Sequence, residues 1–136
     1  PRQITSRSSC NDGRCVGLML HKIIKAIKKL SPRGWAWSKF EKNYVKSNSV
    51  CLACGATTSL EVHHKIPYAM RPDLEFEPTN LVTLCMSTNK CHFRLGHGSY
   101  WSAFTPSINL DLQDIKKGAI TLQQAFERAK MNRVKF

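Results

Sequence analysis

Four cysteines and four histidines fall between residues 51 and 97, and no other part of the chain concentrates these residue types in this way. The stretch opens with Cys51-Leu-Ala-Cys54 and passes through Glu61-Val-His63-His64-Lys-Ile-Pro67. It continues with Asn80-Leu-Val-Thr-Leu-Cys85 and closes with Cys91-His92-Phe-Arg-Leu-Gly-His97. Thiolate and imidazole are the ligands of transition metals, so any fold of this chain must bring these groups together or bury them inert. Disulfides are the other use of cysteine. Interleaving with histidines and the lack of a secretion signal favour metal binding.

Around this stretch the pattern is mixed. Val16, Leu20, Ile23, Ile27 and Leu30 recur at helical steps, with Lys22, Lys25 and Lys29 on the opposite face, until Ser31-Pro32 stops the helix. That lysine stripe is either a solvated face or a face for a nucleic-acid backbone. Residues 35–47 read as a second amphipathic helix in which Trp37, Phe40, Tyr44 and Val45 share a side. Leu60 to Ile66 alternates as a strand, and Asn80 to Leu84 forms a second. Pro67, Pro72 and Pro78 leave residues 67–79 as a loop without regular structure. Cys91 to Leu95 starts a short helix that Gly96 and Gly98 end, and Tyr100-Trp101 reads as packing. Ile108–Lys117 and Thr121–Met131 form C-terminal helices, the second with a Thr121-x-x-Gln124 capping box.

Charge gives the partner class. The formal net charge is +12 and the pI about 9.8, which draws a small protein to polyanions. The first fifty residues hold eleven Lys or Arg against Asp12 and Glu41. Residues 1–15 read as a flexible basic arm ahead of a single domain, 16–136. Within that domain, helical support spans 16–48, the core 49–102 and the C-terminal helices 103–136. Cys10 and Cys15 admit three readings: further metal thiols, a redox pair, or free cysteines. No run has the length of a membrane span, and the expected setting is intracellular, the host cytoplasm for a phage-encoded chain.

In the order Cys-x-x-Cys, His-His at a strand end, Asn before an apolar strand, then Cys-His, residues 35–102 resemble the HNH endonuclease family. The closer likeness is to its zinc-bound branch, common in phages and mobile elements. The Leu74-Glu-Phe-Glu-Pro-Thr-Asn80 lead-in and the Gly96-His97-Gly98 close match as well. The resemblance implies an α+β fold with a small ββα-metal core, flanked by N- and C-terminal helices. It implies a structural Zn²⁺ on Cys51, Cys54, Cys85 and Cys91. The Cys85–Cys91 gap is longer than the family's, so Met86–Lys90 must bulge out.

The same resemblance makes His64 the general base, assisted by Asn80, and His63 and His92 ligands of a catalytic Mg²⁺, Mn²⁺ or Ni²⁺. His97 is a third candidate ligand. Five residues of α-helix turn about 500°, leaving His97 about 140° away from His92, so it reaches the ion only if Gly96 breaks the helix. Arg94, Lys65 and Arg71 are candidate phosphate contacts. Lys22, Lys25 and Lys29 are candidate backbone contacts. The implied activity is metal-dependent DNA endonuclease, on double-stranded DNA, with other phage proteins as further candidate partners. The alternative is a zinc-stabilised DNA-binding module without cleavage. An RNA-directed nuclease is a third reading.

Overall fold

The computed structural model describes residues 32–136. The arm, the first predicted helix with Lys22, Lys25 and Lys29, and Cys10 and Cys15 lie outside the described residues. The chain divides into two compact units, residues 1–38 and 39–136. The first is described only over 32–38, the opening turns of helix α1 (Pro32–Ser47). Pro32 stands in the first turn of that helix, where its missing N–H and fixed φ are tolerated. Everything below concerns the second unit.

Strand β1 (Leu60–His64) pairs antiparallel with β2 (Leu81–Cys85), Leu60 opposite Cys85 and His64 opposite Leu81. Both strands are slightly shifted from the sequence expectation. β1 stops at His64 because Lys65 and Ile66 turn away to bond Asn80: Lys65 N–H donates to its carbonyl at 2.8 Å and Ile66 N–H to its Oδ1 at 2.9 Å. Strand period two sends Glu61 and His63 to one face with Val82 and Leu84, and Val62 and His64 to the other. The expected loop 67–79 is not featureless. Its prolines start two single 3₁₀ turns, Pro72–Leu74 and Pro78–Asn80, each with proline at a first-turn position. Helix α1 reaches this segment through Phe40, edge-on to Phe76 at 5.1 Å, and through Tyr44, whose hydroxyl donates to the Leu81 carbonyl at 3.3 Å.

After β2 the bulge Met86–Lys90 returns the chain to Cys91, with Lys90 at φ +47°. A π turn follows, His92–Gly96. The C-terminal helices are α2 (Ile108–Lys116) and α3 (Leu122–Asn132), close to expectation. Thr121 Oγ1 accepts from Gln124 N–H at 3.2 Å while the Gln124 side chain accepts from Thr121 N–H at 2.8 Å, the reciprocal cap the sequence signalled. Ala125, Phe126 and Ala129 are buried, and α3 packs against the π turn. The C-terminal region is not helical throughout. β3 (Ala103–Phe104) pairs with β4 (Val134–Lys135), a two-residue ladder too short to show in the sequence pattern. The architecture is thus mixed helix and small antiparallel sheets, an α+β arrangement. Among the described residues no helix is long and apolar enough to cross a membrane.

Candidate metal centres

The sequence-predicted thiols converge. Cys51, Cys54, Cys85 and Cys91 place their sulfurs within 4.8 Å of one another, none in a disulfide. Cys54 and Cys85 stand 3.6 Å apart, close to the roughly 3.8 Å that tetrahedral Zn–S bonds of about 2.3 Å set between sulfurs. The first pair sits on a tight knuckle. Gly55 adopts φ +77° and donates its N–H to the Cys51 carbonyl at 2.9 Å, while Leu52 N–H ties the knuckle to Thr83 of β2 at 3.1 Å. Cys85 ends β2, and the Met86–Lys90 bulge swings Cys91 back to it. The Cys51 thiol is drawn down to about 4, chiefly by the hydrogen bond it accepts from Cys91. That bond also pushes Cys91 upward. Four sulfurs at these distances, one of them favoured as the thiolate, can hold a metal such as zinc.

Next to it in the chain, the imidazoles of His63, His92 and His97 form a second cluster, their ligand atoms also within 4.8 Å. The three ring centroids are 5.0, 5.0 and 5.1 Å apart, nearly an equilateral triangle. His92 donates Nδ1–H to Glu61 Oε2 at 2.8 Å, and His97 donates Nδ1–H to the Ala103 carbonyl at 2.7 Å. Each neutral ring then carries its lone pair on Nε2. His63 is buried, and its Nε2 has no hydrogen-bond partner among the described residues. An orphaned buried nitrogen is costly unless a ligand binds it. Burial, reinforced by His92 and His97, holds His63 well below its ordinary pKa, and burial also lowers His97. Both rings stay neutral, the form that binds a cation. The donor set fits a divalent ion.

The five-residue step to His97 is solved by a route other than the expected one. The helix is not broken at Gly96 but widened: His97 N–H bonds the His92 carbonyl at 3.2 Å, an i→i+5 contact. In a π turn residue i+5 stacks over residue i as i+4 does in an α-helix, so both imidazoles face one way. Gly96 lies inside this turn, and its backbone abuts the His63 ring. A Cβ there would stand 2.7 Å from His63 Cε1 and 2.8 Å from Nδ1.

Residues 51–98 match the family model of the HNH endonuclease. That segment, about a third of the chain, is similar to an HNH domain. No curated protein and no solved structure matches the chain. Within the matched segment His64 lies on the face of β1 opposite His63, and its Nε2–H donates to the Glu75 carbonyl at 3.0 Å. Asn80 is buried and committed to backbone: Oδ1 accepts from Ile66 N–H at 2.9 Å, and Nδ2 donates to the carbonyls of Ile66 at 3.1 Å and Leu74 at 3.3 Å. It braces the loop that carries Glu75 and therefore His64. Lys65 Nζ donates to the Thr79 carbonyl at 2.8 Å.

All three candidate phosphate contacts have partners within the protein, Lys65 at the Thr79 carbonyl. Arg71 pairs with Asp73 through two bonds, 2.9 and 2.6 Å. The Arg94 guanidinium lies 3.9 Å over the Phe126 ring and donates to Gln123 Oε1 at 3.0 Å, docking the π turn onto α3. Sequence reasoning missed Glu61 and the packing role of Gly96. Glu61 stands two residues before His63 on a strand and so shares its face, a signal the period alone carried.

Proposed function

We propose that the chain is a metal-dependent DNA endonuclease built on a ββα-metal unit of β1, β2 and the π turn. The observation that carries it is the triangle of three imidazoles, one with an orphaned buried nitrogen, with His64 next to His63 on the same strand. A DNA-binding module needs the thiol cluster but has no use for an orphaned histidine nitrogen. Cys51, Cys54, Cys85 and Cys91 would hold a structural Zn²⁺. His63, His92 and His97 would hold the catalytic ion, which supplies positive charge to the scissile phosphate and its leaving oxygen. Three nitrogen donors suit Mn²⁺ or Ni²⁺ better than Mg²⁺, which prefers oxygen.

His64 acts as general base. With Nε2–H committed to the Glu75 carbonyl, its basic lone pair lies on Nδ1, and an imidazole titrates near working pH. Nδ1 accepts a proton from water as the water oxygen bonds phosphorus. The bond from phosphorus to the 3′ oxygen breaks, leaving a 5′-phosphate and, once that oxygen is protonated, a 3′-hydroxyl. Asn80 acts through the loop rather than on the substrate, so it is a positioning residue. Glu61 and the Ala103 carbonyl fix the tautomers of His92 and His97. The net charge of +12 supplies attraction to the phosphate backbone.

The test is nicking of supercoiled plasmid by wild type and His64→Ala with added Mg²⁺, Mn²⁺ or Ni²⁺, or with none. Wild type is expected to nick, best with Mn²⁺ or Ni²⁺. His64→Ala, still folded and zinc-loaded, is expected to lose at least 100-fold, the scale of general base catalysis. Binding without cleavage under every ion would overturn the enzyme reading in favour of a binding module.

A further inference from the structure

Beyond the two clusters, the loop after His97 carries a surface that the reaction above does not use. The Trp101 ring rests on Phe93 at 4.8 Å and His97 at 4.9 Å and meets the edge of His92 at 6.0 Å. Despite those contacts Trp101 is 54% exposed, and its neighbour Tyr100 is 45% exposed. Two cations flank Tyr100: Lys135 Nζ lies 5.2 Å and Arg133 Cζ 5.7 Å from the ring centroid. Arg133 Nη1 donates to the Gly98 carbonyl at 2.7 Å, and the backbone of Lys135 is paired to Ala103 in the β3–β4 ladder. A strip of two half-exposed aromatic rings with positive charge beside them thus begins at the imidazole triangle and runs to the C-terminal strand.

Scattered exposed aromatics need no explanation. Contiguous ones with cations beside them at a candidate metal site have a specific complement. Nucleobases stack on aromatic side chains irrespective of sequence, and the adjoining phosphates seek lysine and arginine. Bases inside an intact duplex are already stacked on one another and offer a side chain no open face. The strip therefore fits nucleotides that are unpaired.

Resting on the nuclease reading above, we infer that Trp101, with Tyr100 beside it, forms a stacking platform for unpaired bases flanking the scissile phosphate, with Arg133 and Lys135 on the backbone. The preferred substrate class is then DNA that is single-stranded at the cut, rather than fully paired duplex.

The experiment uses the full zinc-loaded chain, as wild type, Trp101→Ala and Trp101→Phe, without added divalent ion so that nothing is cut. The probe is an oligonucleotide containing 2-aminopurine, free or annealed to its complement, with affinity read from the fluorescence change. Wild type is expected to bind the single strand more tightly than the duplex. Trp101→Ala should weaken single-strand binding about 5- to 100-fold, the loss of one stacked base, and leave duplex binding unchanged. Trp101→Phe should retain most of the affinity, and Ni²⁺ titration should show the same metal affinity in all three.

Equal single-strand affinity in wild type and Trp101→Ala would overturn the platform, as would a parallel loss of Ni²⁺ binding, which would make Trp101 a cover for the imidazoles. A separate cleavage assay divides this proposal from the one it rests on. Stacking without cleavage of either DNA supports the platform and overturns the nuclease reading. Cleavage that favours duplex overturns the platform alone.

Discussion

At the residue scale, Gly96 decides whether the three imidazoles can meet. Its Cα fills the position against the His63 ring that any side chain would contest, with a Cβ only 2.7–3.0 Å from three ring atoms. His63 is buried and its ring has nowhere open to retreat. Gly96→Ala is therefore expected to displace that ring and weaken Ni²⁺ or Mn²⁺ binding at the triangle at least tenfold, the scale seen when ligand support is lost. Zinc on the four thiols should stay, since none of them touches Gly96. Calorimetric titration of the zinc-loaded variant checks this, and unchanged affinity would mean the ring contact has no part in the site. The two clusters themselves were legible, because Cys and His at these spacings have few other uses. The need for glycine at 96 was not. The sequence reading took it as a helix stop, and only the approach of β1 to the π turn shows the close contact.

At the scale of elements, the C-terminal helices were legible because their signals are local: an apolar face at period 3.6 and a cap read from two residues. How α2 and α3 are joined was not. Asp111, fully buried on α2, accepts from Ser107 Oγ at 2.9 Å and from Arg128 Nη1 of α3 at 3.2 Å. Arg128 also donates to Asp114 at 2.8 Å. Burial raises the Asp111 pKa above its ordinary 3.8, outweighing the bonds from Ser107 and Arg128. A carboxyl whose folded-state pKa is raised favours the fold while protonated. That contribution is complete below the unfolded value and is lost as pH rises through the folded one. Asp111→Asn removes this term. Measured by urea unfolding between pH 3.5 and 7, the stability of the variant minus that of wild type should rise with pH and then level off. A difference that stays flat or falls would contradict the assignment. The β3–β4 ladder escaped the sequence reading for a different reason. Two-residue strands carry no period, and their pairing joins segments thirty residues apart.

For the whole molecule, the thiol cluster is part of the core and not an addition to it. Cys51, Cys85 and Cys91 are buried among Val82, Leu84, Leu95, Ile108 and Phe126. An apolar core this small rarely suffices alone, and structural zinc contributes about 10–16 kcal/mol in small domains, as much as the whole stability of an ordinary one. Removing zinc with a chelator is therefore expected to abolish the cooperative thermal transition of residues 39–136, followed by circular dichroism, and adding Zn²⁺ back should restore it. A transition that survives verified zinc removal would show that the apolar contacts are sufficient. The consecutive residues Cys91 and His92 serve different clusters, so the same loss should also scatter the imidazole triangle.

The sequence by itself determined the ligand types, their grouping into thiols and imidazoles, the strand pair, the C-terminal helices and the attraction to polyanions. These follow from local spacing, residue chemistry and net charge, none of which needs a neighbour from far along the chain. Tertiary structure alone decided the π turn that brings His97 over His92, the Glu61 and Ala103 acceptors that fix the ring tautomers, and the docking of Arg94 onto Phe126. It also decided the strip of Tyr100 and Trp101 beside Arg133 and Lys135. Each of these depends on which surfaces meet when β1, the π turn and α3 close on one another, and no single segment encodes that meeting.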